Sequence, residues 1–162
     1  VIFLLISMMI IINVMTKTGI FQYVAIKAAK VAKGQPFTIM TIFAIITAIG
    51  SAFLDNVTTV LLLAPVTLLI AEQLEVDPVP YLITEALASN IGGTATLIGD
   101  PPNIMIASKA GLNFMDFIFH LTPAIVIIFV FWMLCWKVVF GKHLHVTEEN
   151  RNKVMAMNER EM

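Results

Sequence analysis

Residues Phe37–Ala71 form a run of 35 residues with one charged side chain, Asp55, near its middle. As a single helix the run would be about 50 Å long, against a bilayer core of about 30 Å. The chain must therefore fold back inside this stretch. Small and helix-capping residues collect at Gly50-Ser51 and Asp55-Asn56, which places the turn there. Asp55 or Asn56 then serves as N-cap of a second arm, Val57–Ile70, with a kink expected at Pro65. The result is a helical hairpin, either two full spans or one re-entrant dip.

A second interruption follows at Ser89–Asn103, SNIGGTATLIGDPPN, with three glycines, two adjacent prolines and one acid between apolar flanks. Gly92-Gly93 and Pro101-Pro102 are each expected to break the helical ladder, leaving arms at about 81–90 and 103–110. Polar, non-helical backbone at membrane depth is tolerated only where protein buries it or it lines a watery cavity. At two such breaks, freed carbonyls can coordinate a cation, and half-helix N-termini beginning near Val57 and Asn103 can face an anion. The candidate ligands are Asp55, Asn56, Thr58 and Thr59 at the first break. At the second they are Ser89, Asn90, Gly92, Gly93, Thr94, Thr96, Asp100 and Asn103. All are hard oxygen or amide groups, suited to Na+, protons or oxyanions rather than soft metals, with Na+ placed at Asn56, Asn90 and Thr94. Carboxylates at membrane depth imply a proton or cation role, which makes Asp55 and Asp100 the principal acids and Glu85 a candidate proton relay. The structural alternatives are helix capping by Asp55, a loop cap at Asp100, and kinks whose polar groups satisfy one another.

The rest of the chain supports a membrane reading. It is 59% hydrophobic and 13% charged, with a mean hydropathy of +0.90. Val1–Met15 is an apolar run without an initiator Met or basic leader, which reads as the end of a span in a fragment rather than as a signal peptide. Thr16–Gln35 carries Lys17, Lys27, Lys30 and Lys33 and no acid, the mark of a cytoplasmic segment. Ile20, Phe21, Val24, Ala25, Ala28 and Val31 give it one apolar face, as in an interfacial helix. Leu121–Val139 is the cleanest span, anchored by Trp132, Trp136 and Lys137. Counting crossings returns the polar tail, 141–162, to the side of the lysine-rich loop. The single cysteine, Cys135, excludes an intrachain disulfide and a Cys-based metal centre. His120, His143 and His145 share no intramembrane face, and the scattered lysines leave no nucleic-acid footprint. No cofactor is expected beyond Na+ or H+ as coupling ion.

The segments SAFLDNVTTVLLLAPVT and SNIGGTATLIGDPPNIMIASKAGLNFMDF together resemble the ArsB/P-protein branch of the ion transporter superfamily, whose domain is called citrate-transporter-like. The resemblance covers residues 1–140. It implies an all-α membrane bundle with a re-entrant hairpin and a discontinuous helix, one half of an inverted-repeat transporter whose second repeat lies elsewhere in the parent chain. In sodium-coupled dicarboxylate relatives, a Ser-Asn-Thr hairpin tip and the helix break after it bind sodium and substrate. The matching places are Asp55–Thr59 and Ser89–Thr96. Here an acid precedes Asn56 and Val57 separates it from Thr58, which puts proton coupling through Asp55 beside sodium. The implied function is secondary active transport of a small ion (arsenite or another oxyanion, a carboxylate, or Na+) by a multi-pass, homodimeric protein of the lipid bilayer, the cell membrane if prokaryotic. Two other classes compete. An intramembrane aspartyl protease would use Asp55 and Asp100 as a dyad, although Leu97-Ile98-Gly99 lacks the first glycine of its Gly-x-Gly-Asp motif. An ion channel would need an open pore rather than broken helices.

Overall fold

A computed structural model describes residues 17–141 and 146–156, together with Phe3, Ile6, Ser7, Ile10 and Val14. Most of the expected first span, as well as Lys142, His143, His145 and the last six residues, lies outside the described residues. Among those described, the secondary structure is entirely helical. Helix α1 is Ile20–Val31, α2 Pro36–Phe53, α3 Asn56–Leu74 and α4 Val79–Thr94. Helix α5 is Pro101–Ala110, α6 Phe114–His120, α7 Thr122–Phe140 and α8 Glu148–Ala156. The protein is an all-α membrane protein. Three of these helices, α2, α3 and α7, are long and apolar enough to cross a bilayer.

The hairpin turns where the sequence places it. Leu54 and Asp55 are extended, and the Asp55 carboxylate caps α3 by accepting from Thr58 N at 2.8 Å. The arms have 18 and 19 residues, about 27 and 28 Å, so each matches α7 in length. Helix α3 runs through Pro65 without interruption. Its far end closes on Glu75 in the left-handed region (φ 56°), and Asp77 caps the start of α4 by accepting from Val79 N at 2.9 Å.

The second break differs from expectation in one respect. Helix α4 continues through Gly92-Gly93 to Thr94, and the non-helical stretch is 95–100. The glycines do not end the helix; they let it approach α2. A Cβ on Gly92 would lie 2.1 Å from the Ala48 carbonyl oxygen and 2.5 Å from its Cα. Backbone-to-backbone contact of this kind is how membrane helices pack when the hydrophobic effect offers them nothing. Pro101 and Pro102 likewise start a helix instead of breaking one, since the first turn needs no intrahelical N–H.

Helix α7 returns antiparallel to α4. Thr122 at its start donates to the Ala95 carbonyl at 2.9 Å, and Trp136 near its end donates to Thr84 Oγ1 at 2.5 Å. The apolar core sits at the end of the bundle where α1, α8 and the feet of the hairpin meet. Ile26, Ile39, Phe43, Ile70, Tyr81 and Val154 are all buried there, with Trp136 and Phe140 packed against them. The opposite end, at the hairpin tip, is held by small residues and polar contacts.

At the core end, two further helices pack against the feet of the hairpin. Helix α1 buries Ile26, Ala28 and Ala29, and Ala32 is buried at its C-cap, whereas Val24 and Val31 point outward. The packed side combines Ile26 with alanines, whose small side chains let neighbouring helices approach closely. The polar tail is also packed here. Its helix α8 docks on the bundle, with Asn150 donating to the Leu74 carbonyl at 3.3 Å and Arg151 to the Lys33 carbonyl at 3.1 Å. The tail and the lysine-rich segment therefore do share one end of the bundle.

Replacing Gly92 with valine should separate α2 from α4 and lower stability by about 1–3 kcal/mol. Thermal unfolding of the detergent-solubilised full-length protein reads this as a lowered Tm. An unchanged Tm would mean that the two backbones do not touch at this position.

Candidate ion-binding site

Two pieces of backbone that leave their helices meet at the tip end of the bundle. The last turn of α2 supplies Ser51, which is fully buried, and the first turn of α3 supplies Asn56. Ser51 Oγ lies 2.5 Å from Asn56 Oδ1 and 2.8 Å from the Ser89 carbonyl oxygen on α4. One hydroxyl proton cannot serve both acceptors. Asn56 Nδ2 in turn donates to Asn90 Oδ1 at 3.3 Å, and Asn90 Nδ2 donates to the Ala86 carbonyl at 2.8 Å.

The break at 95–100 folds over this group. Thr96 Oγ1 donates to the Ala52 carbonyl and accepts from Gly99 N at 3.1 Å, tying the break to the hairpin. Asn103 reaches back from α5 and donates its amide to the carbonyls of Thr94 at 3.2 Å and Thr96 at 2.8 Å. Gly93 and Gly99 face each other across the contact. A Cβ on Gly93 would lie 2.1 Å from Asn56 Oδ1, and one on Gly99 would lie 2.5 Å from the Gly93 carbonyl oxygen and 2.6 Å from that of Ser51. No side chain larger than hydrogen fits at either position.

Of the residues singled out in the sequence, Asn56, Ser89, Asn90, Gly93, Thr96 and Asn103 come together here, and Gly92 sets the helix spacing beneath them. Thr94 bonds its own helix, donating to the Asn90 carbonyl at 2.8 Å. Thr58 and Thr59 turn back on the cap: Thr58 Oγ1 donates to Asp55 Oδ2 at 2.5 Å, and Thr59 Oγ1 to the Asp55 carbonyl at 3.0 Å. The Asp55 carboxylate is thus occupied by the first turn of α3. Asp100 occupies the N-cap position of α5 but makes no side-chain cap bond, and it is half-buried. Neither acid hydrogen-bonds the other, so the dyad of a protease is not formed. Glu85 lies nine residues before Thr94, about 14 Å along α4, and belongs to different surroundings.

Sequence reasoning named Ser51 only as a turn residue and passed over Gly99. Both place oxygen or backbone at the centre of the cluster. Their available signal was spacing: Ser51 lies five residues before Asn56, and Gly99 directly precedes the Asp-Pro-Pro start of α5. The helix starts also differ from expectation. Helix α5 begins at Pro101, and its first two residues have no N–H to offer an anion. The donors of α3 at Thr58 and Thr59 are taken by Asp55. Carbonyl and amide oxygens therefore dominate the cluster.

A model of the citrate transporter family matches residues 1–159. The chain belongs to that family. Similarity to individual proteins agrees. A 46 kDa membrane protein of Mycobacterium leprae is 52% identical over 99% of this chain and 38% of its own length. A protein of Mycobacterium tuberculosis described as an uncharacterised transporter is 51% identical over 99% of this chain and 37% of its own length. The P protein of Homo sapiens is 46% identical over 73% of this chain and 15% of its own length. The chain thus spans well under half of the curated relatives it matches. Membership in the citrate transporter family makes this chain part of an integral membrane protein.

Asn103→Asp tests the closure of the break. It preserves shape but replaces the amide donor with an acceptor facing two carbonyls, which costs about 1–3 kcal/mol. The full-length protein should show a lowered Tm, and a protease of broad specificity such as proteinase K should gain access to 95–100. If neither changes, Asn103 does not hold the break.

Proposed function

We propose that the full-length protein is a secondary active transporter of a small ion, and that this chain supplies the half-site for its coupling cation, Na+ or H+. The observation that carries the reading is the Ser51–Asn56–Ser89 contact, in which one hydroxyl oxygen lies against two acceptor oxygens with a single proton to share between them. A cation relieves that crowding, whereas an anion would add to it. Two further features support the same sign of charge. Asp55 and Asp100 stand at the N-termini of α3 and α5, where they offset the positive dipole ends, and the prolines remove donors from α5. The transported species is an oxyanion such as arsenite, a carboxylate, or Na+ itself. An anionic substrate would take its positive contacts from the remainder of the parent chain, the second repeat expected from the sequence. The hairpin enters and leaves at one end of the bundle, which leaves its tip free to be covered by that repeat in the manner of a re-entrant loop. Cell-membrane placement, cytoplasmic exposure of the lysine-rich segment and tail, and a homodimeric assembly complete the proposal.

The test is uptake by the full-length protein in proteoliposomes, with Na+ and pH gradients imposed separately across a panel of oxyanions, dicarboxylates and Na+. One gradient should drive saturable uptake. Ser51→Ala and Asn56→Ala should raise the half-saturating concentration of the coupling ion by about tenfold or more, equivalent to about 1.4 kcal/mol. Asp55→Asn and Asp100→Asn should weaken coupling. Flux that ignores both gradients and all four substitutions would overturn the reading in favour of a channel.

A further inference from the structure

A second group of buried polar atoms lies lower on α4, on the core side of the ion cluster. Glu85 is fully buried (0% exposed), and its Oε1 accepts from Thr67 Oγ1 on α3. Its other oxygen, Oε2, is buried with no hydrogen-bond partner among the described residues. One turn earlier on the same face, Tyr81 is 2% exposed, and its hydroxyl is likewise buried and without a partner. Thr84 beside them is fully buried. It donates to the Pro80 carbonyl at 2.6 Å and accepts from Trp136 at 2.5 Å, so α7 closes this flank.

Among the described residues, the helices packed against α4 bring no positive charge to Glu85. Helix α2 carries no titratable side chain, and the acid of α3, Glu72, is exposed near its end. On α7 the titratable groups are Cys135 and Lys137, both exposed. A carboxylate cannot stand bare in such surroundings. The two unpartnered oxygens, Glu85 Oε2 and the Tyr81 hydroxyl, are also too few to coordinate Na+, which leaves a proton as the charge that fits.

We propose that Glu85 and Tyr81 form a proton-binding site separate from the ion cluster, with the proton on Glu85 Oε2 and one water molecule joining that group to the Tyr81 hydroxyl. The water would have two fixed polar partners, the minimum for a buried one. Thr67 holds Oε1 and so sets which oxygen carries the proton. Ser89 stands one further turn along the same face, and its carbonyl oxygen touches Ser51 in the ion cluster. Positions 81, 85 and 89 thus make a polar line, about 6 Å per step, from the core end of α4 to the tip. The proposal deepens the transporter reading and rests on it for any role in coupling. Occupancy of the site by a proton does not depend on transport.

Infrared difference spectroscopy of the full-length protein in lipid bilayers, titrated in H2O and D2O, reads the proton directly. The wild type should show a protonated-carboxyl C=O band that shifts on deuteration. Glu85→Gln should abolish it, and Asp55→Asn should leave it. Tyr81→Phe and Thr67→Val should each move its frequency while keeping the protein folded. Absence of the band in the wild type, or its persistence in Glu85→Gln, overturns the site; an unmoved band in Tyr81→Phe overturns the share given to Tyr81. The coupling role is tested apart from this, by gradient-driven uptake. Glu85→Gln should lose at least tenfold of any pH-driven uptake while retaining substrate exchange at equal pH. If the band is present and no gradient drives uptake in the wild type, the transporter reading fails and the proton site stands.

Discussion

The arrangement at the tip depends on two backbones coming closer than side chains ordinarily allow. Ala48 and Gly92 bring α2 and α4 into direct contact, and Gly93 and Gly99 extend that contact to Ser51 and Asn56. Only at this separation can a serine hydroxyl on one helix reach a main-chain carbonyl on another, or Thr96 reach Ala52. In a soluble protein, apolar area would draw two such helices together. In a bilayer, lipid tails compete on equal terms, and close van der Waals contact with hydrogen bonding must supply the attraction. The glycines are therefore packing residues first, and the polar cluster is a consequence of what they permit.

The bundle divides its cohesion along its length. At one end, Phe43, Ile70, Tyr81 and Val154 make a core of large side chains. At the other, few large side chains are buried and the polar contacts of Ser51, Asn56, Thr96 and Asn103 take over. Large rigid packing resists change, whereas a hydrogen-bonded network can exchange partners with an arriving ion at little cost. A binding element at the tip of a well-packed base combines both properties. Glu85 falls between the two regions, buried like a core residue yet polar like the tip.

Much of this was legible in the sequence, for reasons of length and composition. A run too long for the bilayer must turn, and Asp55 marked where, because a carboxylate followed by Thr58 is a helix cap. The second break was legible from its polarity but misplaced by a few residues. Glycine lowers helix propensity in isolation, and that average penalty was outweighed by the contact Gly92 gains with Ala48. Propensity describes one helix; the fit of two helices is a relation between distant segments, Ala48 and Gly92, that single-residue statistics do not carry. The same limit hid Ser51, whose neighbours Asn56 and Ser89 come from different helices.

Helix α8 contacts the hairpin at both of its feet. Arg151 lies against Lys33 and Gly34, just before α2, and Asn150 holds Leu74 at the end of α3. A lever clamped at both ends of its base can rock about that base, but it cannot slide lengthwise without tearing the clamp. The segment after the last span thus sets which rigid-body motions of the hairpin are cheap: tilting keeps all three contacts, and translation along the helix axes breaks them together.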